Sequence, residues 1–416
     1  MKLRVFVGAL LFLCVQANAK IEVLFHPQEP TLEKISEWIT QARTSIDIAM
    51  YSMDTGPSSP IMQAIKTPEV QKRIHDGQLK MRLIFEGYGS PEDKAEKMQV
   101  LENFGVDTRY LGKAAKVHHK FAVIDTNTVM SRVVSGSANW SISSYRNYNE
   151  NILFFENEQE VALEFQKEFD RLWLASKDFD QHDDDFRKRN NNDGVHRWNS
   201  MTDDPEIQVL FNSARFLNKK PFPPEITDHL VQIIDQAQDD LLIATTRIRR
   251  TAILQALSRA TTRGVKIRVL INQDDYADLD KRSDPLLNNP LIKTRVKFYN
   301  LRLNDFLMYQ MHNKFMIVDG KTLFTGSFNW SDSAEYGHIE NVVVLTGVKA
   351  AEVLPRYSSE FEKLWALGRG LYYPLLESLK KKEYKGCPVA AMTLSALQIK
   401  TLLNLATQCR SIPTPK

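Results

Sequence analysis

Short apolar runs alternate with amphipathic stretches along this chain, and the whole order occurs twice. "IEVLF" from Ile21 and "IQVLF" from Ile207 each precede a helix-like stretch, "LEKISEWITQA" in one case and "ITDHLVQIIDQA" in the other. Apolar residues in those stretches recur three and four apart, the spacing of one helix face. The apolar runs "SIDIAMYSM" and "DLLIATTRI" follow, then a second helix, then "LKMRLIF" and "VKIRVLI". Both halves close on a strand and an amphipathic helix, "VALEFQKEFDRLWLAS" and "AAEVLPRYSSEFEKLWAL". Strands alternating with helices predict an α/β fold made of two similar sandwich halves, residues 20–176 and 206–367.

Three segments lie outside this repeat. Residues 1–19 carry Lys2 and Arg4, an apolar run from Val5 to Val15, and Ala17-Asn18-Ala19. That is the layout of a secretory signal peptide cleaved after Ala19, with an apolar run shorter than the roughly 20 residues that span a bilayer. Export to the periplasm or beyond is the localisation it predicts. Residues 177–205 are polar, mixed in charge and without apolar period, and read as a linker. His182 and His196 stand there beside Asp183, Asp184 and Asp185, with no element to fix them as ligands. Residues 368–416 form a C-terminal extension expected to be small and helical.

Composition narrows the class further. The chain has 416 residues, 43% hydrophobic and 25% charged, enough for sizeable cores. Loss of Lys2 and Arg4 with the leader lowers the formal charge from +3 to +1. A dedicated nucleic-acid binder would carry a broad basic surplus, which this chain lacks. Cys387 and Cys409 remain after Cys14 is removed, and in an oxidising compartment two such thiols pair. Closing that short loop contributes on the order of 3 kcal/mol. Neither cysteine has His or Cys neighbours that would make a metal site.

The chemistry concentrates in two matching stretches. "VHHKFAVIDTNTVMSRVVSGSANWS" from Val117 holds His118, Lys120, Asp125, Gly136, Ser137 and Asn139, with Glu150 following in "YNENILFF". "MHNKFMIVDGKTLFTGSFNWS" from Met311 holds His312, Lys314, Asp319, Gly326, Ser327 and Asn329, with Glu340 following in "HIENVVVL". Residues two apart in a strand share a face, so each half presents an imidazole and an ammonium together. Asp125 and Asp319 fall on the opposite parity and read as turn-fixing structural residues. The lysines, asparagines and serines suit an oxyanion such as phosphate, the small Gly136-Ser137 and Gly326-Ser327 pairs allowing close backbone approach. Imidazole serves as nucleophile or as acid and base near neutral pH, and two of them supply both roles. A glutamate accepting from one ring nitrogen would fix the tautomer, and Glu150 and Glu340 are the candidates. A pseudo-twofold axis between the halves would set the two His-Lys pairs on opposite sides of one phosphate, in a monomer that holds both half-sites.

The H-x-K-x4-D pattern followed by G-S-x-N, present twice, resembles the signature of the phospholipase D superfamily. The "GSANWS" and "GSFNWS" forms most resemble its branch containing the small bacterial periplasmic endonuclease and mitochondrial cardiolipin hydrolase. The similarity covers residues 20–175 and 206–367. It implies two phospholipase D-like α/β halves and a phosphodiesterase that needs neither metal nor other cofactor and works through a phosphohistidine. By that analogy His118 is the nucleophile and His312 the acid and base. Asp125 and Gly136 are separated by ten residues where Asp319 and Gly326 are separated by the usual six. The extra residues, within "TNTVMSRVV", are expected to lengthen a hairpin tip away from the pocket.

Other residues receive plainer readings. His119 points away from Lys120 and reads as packed, and His26, His75, His229 and His338 as structural. Tyr51 and Arg247 stand near the ends of equivalent strands, at the pocket mouth or packed. Seven basic residues from Arg247 to Arg268 form either a solvated helix face or a patch for phosphate-rich substrate or anionic lipid. The reading favoured overall is an exported phospholipase D-type hydrolase acting on phospholipid at a membrane surface. A secreted or periplasmic endonuclease acting on DNA or RNA is the alternative, followed by phosphatidyl transfer of the cardiolipin synthase type and by a binding protein with a retired site.

Overall fold

The computed structural model describes residues 19–87, 90–111, 115–179, 199–201, 204–217, 226–276, 285–301, 309–383, 387 and 389–410. The leader, His182, His196 and Asp183 to Asp185 lie outside these residues.

Two mixed sheets carry the fold. The first has eight strands, in the order Lys20–His26, Glu150–Glu156, Arg132–Gly136, Lys120–Ile124, Ser45–Met50, Lys80–Phe85, Val106–Tyr110 and Lys177–Asp178. The second has nine, in the order Asn199–Met201, Ile207–Phe211, Asn341–Leu345, Thr322–Gly326, Lys314–Val318, Asp240–Thr245, Lys266–Asn272, Ile292–Asn300 and Val389–Leu394. From Lys20–His26 to Val106–Tyr110 the first order matches the second from Ile207–Phe211 to Ile292–Asn300, strand for strand, so the repeat read in the sequence is a repeat of topology. Ser45–Met50 runs parallel to Lys80–Phe85 and antiparallel to Lys120–Ile124, with Met50 opposite Lys120. Its counterpart sets Thr245 opposite Lys314.

The closing helix of each half shows how the packing arises. In Gln159–Ala175 the buried side chains Val161, Phe165, Phe169, Leu172 and Trp173 recur at helical spacing, and in Leu354–Trp365 Leu354, Tyr357, Phe361 and Leu364 do the same. These residues share one apolar cluster with Phe121 and Leu153 of the first sheet and Phe315 and Val343 of the second. The halves therefore meet through a common core, while each keeps a second core on its outer face.

The four extra residues of the first half sit in the hairpin tip. Phe121 pairs with Ser135 and Ile124 with Arg132, just as Phe315 pairs with Thr325 and Val318 with Thr322. Register is the same on both sides, so the insertion leaves the strands undistorted. The C-terminal extension holds the helices Tyr372–Lys381 and Ala396–Leu405, and it adds an edge strand, Val389–Leu394, antiparallel to Ile292–Asn300. Cys387 and Cys409 are joined as a disulfide across this appendage.

Candidate active site

Each histidine stands two residues before a central strand, Lys120–Ile124 or Lys314–Val318, where the two halves exchange backbone hydrogen bonds. The His118 N–H donates to Ile339 O at 2.9 Å and the His312 N–H to Asn149 O at 2.9 Å. The short strand Lys116–Val117 lies parallel to His338–Ile339, so this exchange is a small intersheet ladder. It carries the glutamates across with it. His118 Nδ1 is 2.9 Å from Glu340 Oε2, and His312 Nδ1 is hydrogen-bonded to Glu150 Oε1. Each ring is thus held by the carboxylate of the opposite half.

The lysines lie beside the histidines because alternation in the strand puts them there. Lys120 Nζ donates to His118 O at 2.7 Å and Lys314 Nζ to His312 O at 2.7 Å. Both lysines are buried. The side chains of Asn139 and Asn329 form no hydrogen bond with the described residues, and their Oδ1 atoms are buried.

Gly136 and Gly326 mark the closest backbone approach. A Cβ on either would stand 2.2 or 2.3 Å from Asn151 O or Asn341 O, so only glycine fits. Asp125 and Asp319 lie at the far end of the strands with φ of 53° and 52°. The Asp125 carboxylate accepts the Thr44 N–H at 2.7 Å and the Asp319 carboxylate the Asp239 N–H at 2.8 Å, tying each strand to its neighbour.

The serines correct an expectation. Ser137 and Ser327 are fully buried, and their hydroxyls accept the N–H of Asn151 and Asn341 at 3.0 Å. Ser327 also donates to Glu340 Oε2 at 2.5 Å. With oxygens so committed they brace the carboxylate strand. In the basic stretch Arg249 pairs with Asp275 at 2.7 Å, Arg250 with Asp332 at 2.6 Å, Arg259 with Asp235 at 2.7 Å and Arg268 with Glu362 at 2.7 Å.

The sequence profile described as "Cardiolipin synthase, PLD-like domain" matches residues 35–173 and 230–365, more than half of the chain. The chain belongs to the phospholipase D family. Among curated proteins, the mitochondrial cardiolipin hydrolase of Danio rerio is 26% identical over 152 residues, 36% of this chain and 60% of that protein. The phospholipase D of Rickettsia prowazekii (strain Madrid E) is 32% identical over 130 residues, 31% of this chain and 59% of that one. The match therefore spans about three fifths of these relatives. The crystal structure of phosphatidylserine synthase from Haemophilus influenzae Rd KW20 superposes with a TM-score of 0.60 at 12% identity, over 83% of this chain and 86% of that one, a likeness of fold.

Electrostatics set the protonation states in this phospholipase D family member. Burial lowers His118 to about 3 and His312 to about 4, against the pull of their glutamates. Burial would raise Glu150 and Glu340, but the histidines facing them outweigh it and hold both below the usual carboxylate range. An ionised carboxylate only accepts, so Nδ1 carries the ring proton and Nε2 of each neutral imidazole keeps its lone pair. Burial also lowers Lys120 to about 8 and Lys314 to about 7.

One residue near the site was read as merely structural. The His338 ring lies 5.2 Å from that of His118, and its Nδ1 is 3.6 Å from Glu340 Oε1. Tyr148 occupies the equivalent place, 5.8 Å from the His312 ring. Each stands two residues before its glutamate, so strand parity alone would have pointed to both. His118, His338 and Glu340 also form, among the described residues, a group whose ligand atoms lie within 4.8 Å of one another, able to hold a metal ion. A cation there would have to displace the His118 Nδ1 proton from the carboxylate.

The remaining histidines and the rim are placed as follows. His119 is buried between Asn341 Oδ1 at 3.0 Å and Glu168 Oε1 at 3.1 Å. His26, also buried, lies 3.5 Å from Glu150 Oε2. His75 is exposed and His229 half-buried. The Tyr51 ring sits 4.8 Å from that of His118, with Lys120 Nζ 5.0 Å above it. Arg247 acts on Lys314 as a neighbouring charge.

Proposed function

We propose that this protein is a phospholipase D-type phosphodiesterase that hydrolyses the head-group ester of a phospholipid through a phosphohistidine, without a metal. The observation that carries the reading is the exchanged pairing of His118 with Glu340 and His312 with Glu150, which makes one site from both halves. In the substrate complex His312 takes up a proton at Nε2; His118 Nε2 then attacks phosphorus, the bond to the head-group oxygen breaks, and His312 Nε2 delivers its proton to that oxygen. Water then attacks phosphorus, His312 takes its proton, and the P–N bond breaks to release a phosphatidate. Lys120 and Lys314 hold the nonbridging oxygens, and the amides of Asn139 and Asn329, uncommitted among the described residues, donate to them. Bound phosphate offsets the ammonium charges that depress His312, so its proton affinity rises in the complex.

Lipid is favoured over nucleic acid because, among the described residues, Arg249, Arg250, Arg259 and Arg268 of the basic stretch are each paired with a carboxylate. The leader-like residues 1–19 and the disulfide support export. The test uses purified protein in excess chelator, offered phosphatidylglycerol vesicles and, separately, single- and double-stranded DNA. Head-group release that persists in chelator is expected. DNA cleavage without lipid turnover would make the protein a nuclease, and activity restored only by a divalent cation would sink the phosphohistidine route.

The pH profile follows from the buried lysines. Their charge is needed to bind phosphate and is lost as pH rises through about 7 for Lys314 and about 8 for Lys120, so kcat/KM falls over that window. Burial keeps the nucleophile His118 neutral well below pH 6.5, so protonation of that ring does not limit activity in the acid range. Lys314→Arg, whose guanidinium stays charged, should move the alkaline limb upward. A limb unmoved in both Lys314→Arg and Lys120→Arg would mean another group causes it.

A further inference from the structure

The repeat supplies its own control for a second site. A cleft of about 630 Å³ opens between the second sheet and the C-terminal extension, lined among others by Arg268, Lys293, Arg295, Trp365 and Ser395. None of these belongs to the catalytic set. In the first half the same sheet positions hold an acidic cluster. Arg82 pairs with Asp47 at 2.7 Å and with Asp170 at 3.0 Å, Asp107 is its neighbour in register, and Arg109 lies 4.0 Å from Asp178. Two arginines among four aspartates make a net charge of −2.

In the second half three of those aspartates are gone. Leu242 replaces Asp47 beside Arg268, Lys293 replaces Asp107, and Ser395 stands at the edge where Asp178 paired. Glu362 is the carboxylate that remains, 2.7 Å from Arg268. Arg268, Lys293 and Arg295 against Glu362 make a net charge of +2. Arg295 is half-buried and, among the described residues, donates only to Trp365 O at 2.6 Å, with its guanidinium 4.7 Å from the Trp365 ring. Burial and the nearby Arg369 push its proton affinity below that of a free arginine. Lys293 has no carboxylate partner among the described residues. Clustered cations with so little countercharge cost stability, a cost that a bound anion offsets. The cleft volume is that of a small-ligand site.

We propose that this cleft binds a phosphomonoester dianion, held by Arg268, Lys293 and Arg295, whether carried on a soluble ester or on a lipid head group. The proposal does not depend on the catalytic reading. Full-length protein, carrying His118→Ala so that no phosphatidate is made during the assay, is titrated calorimetrically with glycerol 3-phosphate, and sedimented with phosphatidylcholine vesicles containing or lacking phosphatidic acid, at one fixed salt concentration. Two variants are compared with this parent. Lys293→Asp installs the residue of the first half, and Lys266→Asp makes the same charge change on the neighbouring strand outside the cleft. Binding at least about tenfold weaker in Lys293→Asp, but not in Lys266→Asp, is expected. Loss in the soluble arm or in the vesicle arm supports the site and identifies the source of the phosphate. Equal behaviour of the two variants in both arms, or no binding by the parent in either, overturns it. Should Lys293→Asp fail to fold, Lys293→Met is read in the same way.

Discussion

His118→Ala and His312→Ala each lower kcat/KM on a phospholipid by at least about 10⁴-fold, because each removes one of two groups that act as a unit. The two variants differ in what they trap. With a substrate whose leaving group needs no proton, His312→Ala still forms the covalent adduct and then stalls, since no base remains to activate water. His118→Ala forms none. Rapid quenching in alkali, which preserves phosphohistidine, followed by mass spectrometry of the peptides reads this directly. An adduct on His312 in the His118→Ala protein would invert the roles, which the near-symmetry of the site permits. Substantial turnover in both variants would end the shared-site mechanism. Since both half-sites lie in one chain, a mixture of the two inactive proteins should stay inactive.

Glu340→Gln should cost about 10²- to 10⁴-fold in kcat, and Glu150→Gln a similar factor, by loss of a carboxylate that orients a catalytic imidazole. The distinctive expectation is where the damage falls. Glu340 follows the second motif, yet it holds His118 of the first at 2.9 Å, across 222 residues of chain. Glu340→Gln should therefore abolish the adduct on His118, and change the tautomer of His118 as read from its ¹⁵N shifts, while leaving His312 untouched. Glu150→Gln should do the reverse. A perturbation confined to the histidine of the same half would contradict the exchanged arrangement. Each glutamate also accepts a serine hydroxyl, Glu340 that of Ser327 and Glu150 that of Ser144, so in either substitution a serine would have to turn toward an amide.

Much of this protein is legible without coordinates. Two-residue alternation places His118 with Lys120 and His312 with Lys314 on one face, and helical spacing gives the closing helices their buried stripes, because both follow from backbone geometry local to each segment. The same parity rule, applied to Tyr148 and His338, would have set them beside the catalytic rings. The identical strand order of the halves follows from the repeated pattern, and the hairpin insertion is harmless because it falls where no pairing is required.

The tertiary structure alone decided the rest. Which glutamate holds which histidine depends on a ladder between strands of different halves, and no local period records a partner two hundred residues away. The serines brace the site from beneath because the strand beside them offers N–H groups that need an acceptor. Much of the basic stretch is paired because three aspartates and a glutamate from four separate segments close on it. An extension read as helical adds an edge strand because the second sheet leaves Ile292–Asn300 with an unpaired side. Sequence fixes what each short segment prefers, and only folding decides which segments meet, since long-range contacts are chosen by shape and charge at the surfaces that the segments create.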